Sequence, residues 1–180
     1  MERSTPGDQD DRQAFELLIE GSSDRLYSVA LRITGSPEDA EDALQDAALS
    51  AYQSWAQFRG EARGTTWLYR IVVNAALQRV RRRRPEEELS ATGYDEASVI
   101  DWSEDLLRRV EDADLHDMLE RGIALLPGDL RVALVLRDVE GLSTTESAVI
   151  LDISEAALKS RLHRARVLLR QWVADQMERR

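Results

Sequence analysis

The chain has 180 residues, no cysteine and two histidines, and 34 acidic against 24 basic side chains leave it a net charge of -10. Without cysteine there is no disulfide framework, thiol chemistry or cysteine-based zinc site, and the acidic balance disfavours indiscriminate coating of nucleic acid, which depends on neutralising phosphates. The N-terminus lacks the apolar core of a signal peptide and no apolar run approaches membrane-spanning length, so a cytoplasmic protein without membrane insertion is expected.

That length accommodates one domain or two small ones. Charge is segregated along it, with basic runs at residues 79–84 and 159–170 and a strongly acidic stretch at residues 86–120. Residues 10–84 carry an almost continuous helical pattern. Phe15, Leu18 and Ile19 begin it, and Leu26, Val29, Ala30 and Ile33 form a second apolar stripe. Gly35 is placed to stop that helix and Pro37 to begin the next. The third helix, from Pro37 to about Trp55, is expected to turn Ala40, Ala43, Leu44, Ala47 and Ala48 inward. Its other face holds Glu38, Asp39, Glu41, Asp42, Gln45 and Asp46. Carboxylates in a first turn complement the helix dipole and are most often simply solvated; a docking face for a basic partner is the sharper alternative.

Residues 58–65 form a loop with two glycines and two arginines, and a long helix follows from Thr66 to Val80, ending in a run of arginines before Pro85. Aromatic rings beside cations suit single-stranded nucleic acid, because bases stack on rings while cations track the backbone. Trp67, Leu68 and Ile71 read more simply as core. Phe58, Asn74 and the arginines remain as candidates for such contacts. From residue 85 to 112 the composition becomes that of an acidic linker, although Val99, Ile100, Trp102, Leu106 and Leu107 suggest that part of it docks or turns helical. A second helical block runs from about Ala113, with Pro127, Gly128 and Asp129 as a break before a helix over residues 130–139.

The C-terminal part is the most explicit. Ser143 with Glu146 is a capping box, and Ser154 can cap the next helix. Ala148, Leu151 and Val149 are expected to face inward in the first of these helices, with Ile153 plugging the turn. In the second, Leu158, Leu162, Ala165 and Leu169 recur at helical spacing. Left outward are Lys159, Ser160, His163 and Arg164, with Arg161 and Arg166 further round. A basic face is usually a solvated surface, but caps, turn and basic face together spell a helix-turn-helix whose second helix enters a major groove.

In order along the chain, three stretches resemble the extracytoplasmic-function (ECF) sigma factors of the sigma-70 family. Residues 31–46 are similar to that family's polymerase-docking helix, residues 58–74 to its promoter-opening segment, and residues 126–137, 141–143 and 159–166 to its second domain. The resemblance implies an all-α fold of two small helical domains joined by an acidic linker, at residues 8–84, 85–112 and 113–175. It implies that Asp39, Glu41, Asp42, Gln45 and Asp46 meet the clamp coiled coil of core RNA polymerase, with the flap as a further contact. Phe58, Arg59, Gly60 and Asn74 would hold and read the non-template single strand of the minus-ten element, with Arg79, Arg81 and Arg82 on phosphates. Arg137, Lys159, Ser160, Arg161, His163 and Arg164 would meet the duplex minus-thirty-five element. An anti-sigma partner is compatible with the resemblance, and no residue specifies one. Two pairs of residues depart from the family pattern: the small pair Ala47 and Ala48 replaces bulkier residues, and Thr144 and Thr145 stand where an aromatic and a glutamate are common.

An autonomous helix-turn-helix regulator would explain the C-terminal block but leave the acidic helix and aromatic loop without a role. An enzyme is disfavoured: there is no glycine-rich phosphate loop, no histidine and carboxylate spacing for a metal, and no motif that calls for a cofactor. His116 reads as an ordinary helical residue.

Overall fold

The structure, a computed structural model, describes residues 6–55, 58, 64–82 and 113–179, and within them the chain is all-α. The helices are α1 (Pro6–Glu20), α2 (Ser23–Thr34), α3 (Pro37–Ser54), α4 (Gly64–Arg82), α5 (Ala113–Leu125), α6 (Gly128–Leu134), α7 (Thr144–Leu151) and α8 (Glu155–Glu178). A turn of π-helix, Val135–Val139, extends α6. The acidic linker, Arg59, Gly60, Arg83 and Arg84 lie outside the described residues.

Local chemistry fixes the helix boundaries of the first block. Gly35 ends α2 in the left-handed region, at φ 69°, a conformation that costs glycine little. Its N–H donates to the Leu31 carbonyl at 2.8 Å. One residue on, the Ser36 hydroxyl accepts from the Asp39 N–H, and Pro37 occupies the first turn of α3, where a missing N–H does no harm. α3 then packs through a seam of buried alanines, Ala40, Ala43, Ala47 and Ala51, which lets α2 and α4 approach it closely. The expectation for Ala48 was wrong. It is exposed, and Ala51 lies inward instead, because one residue past Ala47 turns the side chain by about 100° whereas four residues return it to the same face.

In the second block α5, α6 and α7 all pack on α8. Leu158, Leu162, Ala165 and Leu169 of α8 are buried as their spacing predicts. Val149 is not: it is 49% exposed, and its neighbour Ile150 enters the core. The two blocks also touch. α2 contacts α5, α6 and the π turn, and α4 contacts α6 and α7. Buried residues from both, among them Ile33, Leu68, Val73, Leu126, Leu136 and Leu169, belong to one continuous apolar cluster.

The α5–α8 contact is tight at Gly122, where an added Cβ would lie 2.5 Å from Leu169 Cδ1 and 2.7 Å from Trp172 Cε3. Helix propensity favours alanine over glycine by about 1 kcal/mol, but overpacking against a rigid indole costs about 1 to 3 kcal/mol. Gly122→Ala is therefore expected to lower the urea midpoint of unfolding without changing the slope, and a raised midpoint would contradict this packing.

Candidate nucleic-acid and protein-docking surfaces

The helix-turn-helix is built from its caps. The Ser143 hydroxyl accepts from the Glu146 N–H at 3.1 Å, and the Glu146 carboxylate accepts from the Ser143 N–H at 2.9 Å, completing the capping box. α7 ends at Asp152, whose φ of 54° is tolerated by a short polar side chain. Ser154 caps α8 by accepting from the Ala157 N–H at 3.1 Å. Across the turn, the Thr145 hydroxyl donates to Glu155 at 2.6 Å, tying the starts of the two helices together. Ile153 is half-buried beside Ala148 and Leu158, as a plug of the turn should be.

On α8 the side chains of Lys159, Ser160, His163 and Arg164 are exposed, and their i, i+1, i+4, i+5 spacing puts them on one face near the helix start. Arg161 is half-buried at the edge of that face, 3.4 Å from Asp129. Arg137 sits half-buried on the π turn. Arg166 does not join the outward set. Its guanidinium donates to both oxygens of Asp138, at 2.8 and 2.7 Å, and the Asp138 side chain is only 4% exposed. This fork-to-carboxylate pair compensates a buried charge that would otherwise destabilise the block.

α3 presents its acidic face outward, with Glu41, Gln45 and Asp46 exposed and Asp39 and Asp42 half-buried. Two sets of residues that the sequence keeps apart meet here. Arg79, on α4, donates to Asp42 Oδ2 and Asp46 Oδ2 at 2.6 Å each. The guanidinium is held above its already high ordinary pKa, first by the hydrogen bond to Asp46, with the charges of both carboxylates adding to it and desolvation opposing. Leu49 and Tyr52, exposed by 59% and 65%, continue the stripe from Gln45 at i+4 and i+7. Helical periodicity from Gln45 could have identified them in the sequence, which singled out only the polar residues of this face.

Phe58 is half-buried in an aromatic cluster. Its ring stacks on Trp55 with centroids 5.5 Å apart and lies 5.0 Å from Trp67, while Phe15 of α1 closes the cluster against Trp55 at 5.2 Å. Leu68 is core as expected, and Trp67 and Ile71 pack half-buried against it. On α4, Asn74, Arg81 and Arg82 are exposed. Asn74, Gln78 and Arg81 line a crevice whose opposite wall includes Asp129, Ile153 and Arg161 of the second block. His116 is an exposed residue of α5, 3.8 Å from Glu120. Among the described residues no group of side chains could hold a metal ion, and no helix is long and apolar enough to cross a membrane.

Comparisons with known proteins follow the same two blocks. Residues 18–86 match the family described as Sigma-70 region 2, and residues 116–169 match Sigma-70, region 4. The chain is 32% identical to the ECF RNA polymerase sigma factor SigW of Bacillus subtilis, over 94% of this chain and 92% of the relative. It is 36% identical to the ECF RNA polymerase sigma factor SigM of Mycobacterium tuberculosis, over 88% and 76%. Among solved structures, the sigma factor RpoE of Bartonella quintana, in complex with the anti-sigma factor NepR, superposes with a TM-score of 0.64 at 25% identity, covering 92% of this chain and 98% of that one.

The internal role of Arg166 is open to a direct check. Arg166→Ala leaves the Asp138 carboxylate buried without its guanidinium and is expected to destabilise the chain by about 3 kcal/mol, the low end for breaking a buried pair because Arg166 is itself partly exposed. Denaturant unfolding should show that loss, and a variant as stable as the wild type would return Arg166 to the outward face.

Proposed function

The chain belongs to the ECF sigma factors of the sigma-70 family, and from that premise we propose which of its residues do each part of the work. As a sigma factor it binds core RNA polymerase and promoter DNA, directs transcription initiation and has no catalytic activity of its own. Its domains are residues 8–84 for polymerase docking and the minus-ten element, 85–112 for an acidic linker, and 113–175 for the minus-thirty-five element. It works in the cytoplasm, where polymerase and promoters are.

Docking falls to the outward stripe of α3. Asp39, Glu41, Asp42, Gln45 and Asp46 supply charge complementary to a basic clamp coiled coil, and Leu49 and Tyr52 extend the stripe with apolar area. Complementary charge of this kind speeds and orients the encounter more than it adds raw affinity. The flap of polymerase is left for the second domain.

Minus-ten recognition falls to the loop that begins at Phe58 and to the exposed face of α4. Extruding a base from the stack costs about a few kcal/mol. Phe58, packed on the aromatic cluster, supplies a platform for the extruded base, with Arg59 and Gly60 next to it in sequence. Asn74 reads beside it, and Arg81 and Arg82 hold phosphates, which position the strand without specifying its sequence. Arg79 belongs to this phosphate set by position, although its guanidinium is engaged with Asp42 and Asp46.

Minus-thirty-five recognition falls to the first turns of α8. Lys159, Ser160, His163 and Arg164 reach base edges and backbone in the major groove, flanked by Arg161 and Arg137. An anti-sigma partner belongs to this reading as well, supported by the sigma factor RpoE having been solved in complex with NepR. The observation that carries the whole assignment is order: an acidic helix, an aromatic loop and a capped basic helix follow one another within a chain matched over nearly its full length by ECF sigma factors.

Run-off transcription with core polymerase on a promoter library tests the function and yields the recognised sequence together. Arg164→Ala is expected to lose roughly 1 to 3 kcal/mol of promoter binding and relax preference at one position. For docking, Glu41 is the cleaner target, since it is exposed while Asp42 also holds Arg79. Glu41→Arg should weaken core polymerase binding by about tenfold with the fold intact, and an unchanged affinity would remove α3 from the interface.

A further inference from the structure

No described side chain of α1 is fully buried, and Leu17 is 63% exposed, so this helix adds little to the core. Of its described side chains only Phe15, Leu18 and Ile19 turn inward, half-buried, at i, i+3 and i+4 on one face. Two of them land on either side of the stretch that holds Phe58. Phe15 meets Trp55, the residue that follows α3, edge-on, with centroids 5.2 Å apart and planes at 61°, and it meets Tyr52 in the same way at 6.0 Å. Leu18 lies against Gly64, the first residue of α4, where an added Cβ would stand 2.9 Å from Leu18 Cδ2. α1 therefore touches the end of one helix and the start of the next, with Phe58 between them in sequence.

Phe58 is held by neighbouring rings rather than by depth. It stacks on Trp55 with planes at 18°, it is tilted at 36° to Trp67, and its N–H donates to the Trp55 carbonyl at 2.9 Å. Trp55 is the hub, in contact with Phe15, Phe58 and, at 5.9 Å, Trp67. Both phenylalanines of the chain thus sit on one tryptophan. Filling volume does not account for this row. Among the described residues the buried core is aliphatic apart from Met118 and Tyr69, whereas Phe15, Trp55, Phe58 and Trp67 are all only half-buried. An indole packed on one ring alone keeps rotamer freedom, and an edge-to-face neighbour takes it away. Without Phe15 the Trp55 ring has a gap to turn into, and Phe58 loses the fixed surface it stacks on.

We propose that Phe15 of α1 is a positioning residue for minus-ten reading: it fixes the Trp55 ring, and through it Phe58, at the place where the base extruded from the non-template strand comes to rest. Leu18, seated against Gly64, keeps α1 in register while it does so. The proposal rests on the reading of Phe58 as the platform for that base. Phe15 touches neither DNA nor polymerase in this scheme. Its contribution is that the platform is already in place when the base arrives, since a contact is realised in full only where the supporting side chains are themselves locked.

The test uses the full chain assembled with core polymerase, on forked probes of the promoter that run-off selection yields, with the minus-ten non-template strand left single. Abasic substitutions are placed one at a time along that strand. The wild type should lose about tenfold in affinity at the one position whose base stacks on Phe58. Phe15→Ala should lose a similar factor on the intact strand and nothing further at that abasic position, while Phe15→Tyr, which keeps the ring, binds as the wild type does. A Phe15→Ala chain as tight as wild type on the intact strand, or one whose loss is the same on intact and abasic strands as a merely structural defect would give, overturns the proposal. If Phe58→Ala loses affinity on the intact strand only and Phe15→Ala does not, α1 has no part in the reading. If the wild type has no sensitive position and Phe58→Ala changes nothing, the platform reading itself fails. Should Phe15→Ala lose helical circular dichroism, Phe15→Leu, which keeps the apolar volume and discards the ring, takes its place, and the same outcomes decide.

Discussion

Helix α4 has to satisfy three surroundings at once, and the rest of the molecule is arranged around it. Its buried side, Leu68, Tyr69, Val72, Val73 and Ala76, fills the space between α2 and α3, while α6 and α7 close on it from the second block. Its hydroxyl at Tyr69 reaches Glu140, its guanidinium at Arg79 reaches Asp42 and Asp46, and its residues Asn74, Arg81 and Arg82, proposed to meet nucleic acid, are exposed. A rigid helix transmits position along its length, so the proposed docking stripe, the interdomain contact and the proposed strand-reading face share one frame of reference. A shift of α4 relative to α3 would alter all three together.

This arrangement also accounts for how a chain of net charge -10 can carry DNA-reading surfaces. Its cations are not equivalent. Arg166 is committed to a buried carboxylate, Arg131 to backbone carbonyls, Arg32 to glutamates across the interface and Arg79 to the acidic helix. What stays exposed is a short patch at the start of α8 and another at the end of α4. Two small patches on an acidic body give weak non-specific affinity, because counterion release scales with the number of phosphates neutralised. Placement by polymerase then supplies the effective concentration that charge does not.

Three of the four residues that depart from the expected family pattern, Ala47, Ala48 and Thr145, have a local account. Ala47 is a member of the alanine seam, so a small residue there permits the close approach of α3 to its neighbours, and Ala48 faces out, where its size has no packing consequence. Thr145 uses its hydroxyl to hold Glu155 and so ties the two helices of the helix-turn-helix. The threonine thus serves the geometry of the motif.

Sequence alone determined most of the helices, their capped ends and the outward basic face of α8, but not the π turn at Val135–Val139. The signals involved are local: Gly35, Ser36 and Pro37, the pair Ser143 and Glu146, and Ser154 each act within three or four residues of where they stand, so no knowledge of the fold is needed to read them. Sequence did not reveal that Val149 yields its inward place to Ile150, or Ala48 to Ala51, because an apolar run of neighbours fits either face until a partner helix selects one. Nor could it show which arginines are engaged. Arg166 and Asp138 are 28 residues apart, Arg79 and Asp42 are 37 apart, and Tyr69 and Glu140 are 71 apart. Pairings over such distances exist only after the helices have packed, so tertiary structure alone decided which charges hold the protein together and which remain for its partners.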